Sequence, residues 1–89
     1  MTRRGGPVDV DAIVARVMAR AGRTEVDAGI LLDVARALLT VGRQDLAADW
    51  ALRAYRHALQ DADRERAAEA LGLLVDGTGA PGRRALRGL

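Results

Sequence analysis

The chain has no Cys, no Lys, no Ser, no Asn and no Phe among its 89 residues. Without Cys there can be no disulfide and no thiolate metal site. A lone His, at position 57, removes a His-rich metal site as well. Without Ser or Cys, the commonest nucleophiles of covalent catalysis are missing. No apolar run approaches the roughly 20 residues that span a bilayer. The N-terminus has two Arg but no apolar stretch behind them, so it does not read as a secretory signal, and a cytoplasmic location is the default expectation.

What is present is a narrow alphabet. Ala, Arg, Leu, Val, Gly and Asp dominate, and all fourteen basic residues are Arg. The formal net charge is +2, unevenly placed. Arg3 and Arg4 precede Pro7, while Arg83, Arg84 and Arg87 follow Gly77. Between Pro7 and Gly77 nine Arg face twelve acidic residues, a net charge of −3. The basicity therefore belongs to the ends, whereas nucleic-acid-binding folds carry it on a structured face. A core of this size rarely supplies more than ~3–5 kcal/mol without a staple. With disulfides and thiolate or His-rich metal sites excluded, a partner chain is the staple that remains.

Ala, Leu, Arg, Glu and Gln favour helix, and period-2 runs of β-branched residues are lacking. The expected fold is all-α, a small antiparallel bundle of four helices in one domain over residues 8–76. Residues 1–7 are expected as a flexible basic N-terminus. Residues 77–89, with four Gly between positions 77 and 88 and Pro81, are expected as a flexible Gly/Arg-rich tail. The first helix spans about Asp9 to Ala21, with Asp9 as N-cap, Gly22 as stop, and Val10, Ile13, Val14, Val17 and Met18 as one apolar stripe. The second spans about Glu25 to Val41. Thr24 and Asp27 are read as its capping box, and its apolar girth is wide enough for packing on two sides. Gly42 fits the left-handed position that closes it. The third spans about Gln44 to Gln60, with Ala47, Ala51, Ala54 and Ala58 in a small-residue line. The fourth spans about Arg64 to Asp76, capped by Asp61 or Asp63.

In the central pair a large residue is followed three on by another large residue and then a small one. A further large residue follows three later, a Gly marks the turn, and small residues recur on the next helix. Leu31, Val34, Ala35, Leu38, Gly42, Ala47 and Ala54 fall at those spacings. Over Leu31 to Leu59 the chain thereby resembles a tetratricopeptide-type helical hairpin. The resemblance implies a protein-interaction module with no enzymatic activity and no cofactor. Only about two such hairpins fit, and repeat folds generally need about three units for a stable core, which again points to a partner or to self-association.

His57 could act as a general base with Asp61 one turn on, but no nucleophile accompanies it. Asp45 with Asp49, and Asp61, Asp63 and Glu65, could hold a metal, but Asp near helix starts caps amides and no other ligand type joins them. Trp50 is read as core. Tyr55, Leu52, Leu73 and Val75 are the expected interface residues, because the apolar side chains at 71, 73, 74 and 75 cannot all face one core. Arg83, Arg84 and Arg87 are expected to add electrostatic steering. The expected function is a non-enzymatic interaction module, a homodimer or a subunit of a larger complex. The alternative is a helix-turn-helix nucleic-acid-binding protein, with Arg43, Gln44, Arg53 and Arg56 on the recognition helix. Against that alternative, Asp45 and Asp49 lie in the half that would meet DNA.

Overall fold

A computed structural model of the chain describes residues 8–89. The expected flexible N-terminus at 1–7 lies outside the described residues. The fold is all-helical: α1 (Val10–Ala21), α2 (Ala28–Thr40), α3 (Gln44–Gln60), α4 (Arg64–Gly72), a π-helical turn (Leu73–Gly77) and α5 (Gly79–Arg87). Among the described residues the four-helix expectation is corrected to five α-helices, because residues 77–89, expected as a flexible tail, carry α5. α3 lies at the centre, in contact with α2, α4, the π-turn and α5, while α1 packs on α2. The molecule is thin, with extents of 47 × 32 × 15 Å. Helices pack at ~8–10 Å between axes, so the short dimension holds two layers.

Helix boundaries follow from local chemistry. Asp9 Oδ1 accepts the Ala12 amide at 3.1 Å and starts α1. Asp27 Oδ1 accepts the Ile30 amide at 2.9 Å and starts α2. A capping box at Thr24 and Asp27 predicts a start near Glu25. Asp27 displaces that start because it satisfies an orphan first-turn amide itself, and Asp caps at least as well as Thr. Asp27 is also paired with Arg23. Asp63 Oδ1 accepts the Arg66 amide at 3.1 Å and starts α4.

Three helix ends share one closing motif. After α2 the Gly42 amide donates to the Leu39 carbonyl at 3.0 Å and the Arg43 amide to Leu38 at 2.9 Å. This is the Schellman pattern, and Gly42 takes the left-handed φ of 81° it requires. After α1 the same two bonds form at Gly22 and Arg23. After α3 they form at Ala62 and Asp63, but here an alanine holds the left-handed position, at φ 55°. A Cβ in that region meets a steric cost that glycine escapes.

The core is built from few large side chains and many alanines. Ile30, Leu31, Leu32, Val34, Ala35 and Leu38 are buried on α2, which packs on α1 to one side and on α3 and α4 to the other. Ala47, Ala51, Ala54 and Ala58 are fully buried along α3. Their small side chains let α2 and α4 approach the α3 backbone closely. Trp50 is half-buried and packs against three of the buried clusters at once, with the Arg53 guanidinium 4.9 Å from its ring centre.

α5 docks through an equally close contact. Thr78 is fully buried, and its hydroxyl reaches the Leu73 carbonyl at 3.1 Å and the Leu74 carbonyl at 3.4 Å. Those are carbonyls at a helix end, where a partner is needed. Gly82 sits on the same spot, and a Cβ there would overlap both Thr78 Oγ1 and the Leu74 carbonyl oxygen. The residues that argued against a helix are thus its docking parts. Pro81 occupies the first turn, where a missing amide proton costs little, and Gly82 is the point of closest approach.

Candidate interaction surfaces

The expected interface residues do not form one patch. Leu52 and Leu73 are half-buried against Ala35, Ala48, Ala51 and Leu74, the cluster that also receives Ala85 and Leu86 of α5. Part of the apolar surface left over by a four-helix reading is therefore covered by the chain itself. Tyr55 is half-buried and packs on the clusters around Leu31, Leu32 and Ala54 and around Ala28, Ala58 and Ala67. Val75 stays 52% exposed on the π-turn. Arg83, Arg84 and Arg87 are exposed on α5, so they stand on a helix instead of a coil.

A groove opens where the end of α3 meets the start of α4. It has a volume of about 330 Å³ and is walled mainly by Tyr55, Leu59, Ala62, Ala67 and Leu71. Leu59, 55% exposed, projects at its edge. In the sequence Leu59 flanks the alanine line of α3 beside Leu52 and Tyr55, a spacing that does not separate an edge position from a core one. Its place three residues before the left-handed Ala62 is the local signal that it borders a turn and not a continuous core.

A second, larger groove of about 560 Å³ lies between α1 and α2. Ile13, Val17, Ala37 and Val41 supply its apolar walls, and Arg16, Arg20, Arg36 and Asp33 its charges. Arg36 donates to Asp33 at 3.3 Å and, across to α4, to Glu69 at 2.8 Å. Glu69 also accepts from Arg66 at 3.0 Å. Its carboxyl is held below the usual range, first by the hydrogen bond from Arg36, against an opposing cost of desolvation, with Arg66 adding to the lowering.

The candidates for chemistry are all in helix-end or surface roles. His57 Nδ1 lies 3.3 Å from Asp61 Oδ2, within ion-pair distance but outside hydrogen-bonding geometry. Arg43 holds Asp45 through Nε at 3.2 Å and Nη2 at 3.0 Å, and this hydrogen bonding lowers the Asp45 pKa. Asp63 is consumed as the α4 cap. Among the described residues no group of three His, Asp or Glu side chains is placed to hold a metal ion. Of the residues expected on a DNA-reading helix, Arg43 is tied to Asp45, Arg53 stacks on Trp50, and the Gln44 side chain lies beside Gly79 at the start of α5.

No helix among the described residues is long and apolar enough to cross a membrane. No known protein family, curated protein or solved structure matches the chain.

Proposed function

We propose that the chain is a small, non-enzymatic protein-interaction module that works by burying exposed apolar helix surface against a second chain, either a copy of itself or a larger partner. The observation that carries this reading is the α3–α4 groove, where Tyr55, Leu59 and Leu71 leave aliphatic and aromatic surface contiguous and open. Contiguous apolar surface rimmed by polar residues marks association sites. A tetratricopeptide-like, antiparallel arrangement of the central hairpin belongs to the same proposal. It is supported by the short turn closed at Gly42 and by the buried alanine line on α3. A cytoplasmic location goes with it.

The test is light scattering over a range of protein concentration, with and without a DNA duplex. The mass should rise above that of one chain, and Leu59→Asp should return it to one chain with helicity intact. Leu59 is a better probe than Tyr55 or Leu73, whose side chains also pack on the protein's own core. A strict monomer that retards DNA with a steep salt dependence would contradict the proposal and support the helix-turn-helix alternative.

A further inference from the structure

We infer that the α1–α2 groove is a binding site for a short acidic peptide segment carrying an aliphatic side chain. The inference rests on the reading of the chain as an interaction module and names the partner chemistry of a surface distinct from the α3–α4 groove.

The charge pattern is the first observation. Arg16 and Arg20 stand one turn apart on α1, and both line the groove. Like charges at that spacing repel and weaken a helix. Other arginines of the chain are held by carboxylates, as at Arg23–Asp27, Arg43–Asp45 and Arg66–Glu69. Neither Arg16 nor Arg20 meets a carboxylate among the described residues. Opposite them Arg36 adds a third guanidinium, already bonded to Asp33 and Glu69. With Arg36 already held by those two carboxylates, Arg16 and Arg20 leave the α1 side of the groove electropositive in a segment whose overall charge is −3. Guanidinium pairs of this kind suit carboxylates, which they can grip bidentately.

The walls decide the class of anion. Ile13, Val17, Ala37 and Val41 form an aliphatic lining, and Val41 is 55% exposed. No aromatic side chain lines the groove, so it offers no platform on which nucleic-acid bases would stack. A peptide that alternates Asp or Glu with Leu, Ile or Val matches both halves of the surface. The chain's own ends do not fit: Arg3 and Arg4 at one end, and Arg83, Arg84 and Arg87 at the other, carry the same sign as the groove.

The experiment is fluorescence anisotropy of a fluorescein-labelled Asp/Glu-rich peptide with one central Leu, titrated with the full chain. Saturable binding is expected. The Arg16→Ala/Arg20→Ala variant should weaken it about tenfold, from the loss of two surface ion pairs. Arg16→Glu should abolish it. Alanine is the best helix former, so circular dichroism should show these variants folded. The Arg83→Ala/Arg84→Ala variant should bind as the parent does. Absence of saturable binding to the parent chain, or unchanged affinity in the Arg16→Ala/Arg20→Ala variant, would overturn the inference. So would a DNA oligonucleotide that displaces the peptide and loses affinity with the same two substitutions. Leu59→Asp separates this site from the proposed association surface. If it yields monomers that still bind the peptide, both readings stand. If the chain self-associates but ignores the peptide, only this inference fails.

Discussion

The two flanking helices are attached to the same central layer in opposite ways. α1 lies on α2 through bulky aliphatic side chains, with only Ile13 buried, and the seam between them stays open as a groove of about 560 Å³. α5 lies on the π-turn and α3 through a glycine and a buried threonine, and its seam is closed at Gly82. Bulky side chains hold helix axes apart and leave space between their rows, whereas small ones let backbones touch. The open seam carries Arg16 and Arg20, which meet no carboxylate among the described residues. The closed seam brings Ala85 and Leu86 onto the same cluster as Leu52 and Leu73. One flank thus offers a site, and the other completes the core.

Substitutions can break this contrast. The largest effect is expected for Ile13→Ala, which removes the one buried anchor of α1. It should destabilise the protein by about 2–4 kcal/mol in urea unfolding, with Trp50 fluorescence as the reporter of the shared cluster. Gly82→Ala should cost about 1–3 kcal/mol, because the added Cβ forces α5 off Thr78 and the Leu74 carbonyl. Amide exchange should then speed up in residues 79–87 before it does so in α2. If Gly82→Ala leaves stability unchanged, the closed seam is not closed.

Smaller changes sharpen the comparison instead. Ala62→Gly should stabilise the chain by about 0.5–1 kcal/mol, because relief of the left-handed strain exceeds the added freedom of the unfolded state. Arg16→Glu should stabilise α1 by about 0.2–0.5 kcal/mol, since it replaces a like-charge pair with Arg20 by an attractive one. A more stable protein that has lost its peptide affinity would mark Arg16 as placed for binding. An effect of similar size concerns pH. The Glu69 carboxyl titrates below its ordinary range in the folded state, so its pairing with Arg36 and Arg66 stabilises the fold above that range. This contribution is lost as pH falls through the lowered value. With the Glu69 side chain 37% exposed, it amounts to about 0.5 kcal/mol. Glu69→Gln should flatten the acid limb of the stability profile by that amount.

What was legible in the sequence was local. Asp9, Gly22, Gly42 and Asp63 mark helix ends by bonds that reach only a few residues, and the alanine line of α3 declares a close helix contact by its spacing alone. α2 began later than expected because two candidate caps, Thr24 and Asp27, lie within one turn, and choosing between them depends on which amide the side chain meets. α5 was missed for a different reason. Gly79, Pro81 and Gly82 lower intrinsic helix propensity, and the contact that overrides them, Gly82 on Thr78 and Leu74, exists only once the π-turn has formed. The same dependence on packing hid the grooves. Arg16 and Arg20 showed a like-charge spacing in the sequence, but nothing there revealed that α2 would bring Arg36 to face them.

The most direct test of the account is a ¹⁵N-resolved NMR titration of the full chain with the acidic, Leu-bearing peptide. Shifts are expected to be confined to the α1–α2 seam, at Arg16, Val17, Arg20, Ala37 and Thr40, with α5 silent. Shifts centred on Arg83, Arg84 and Arg87, or none at all, would contradict it.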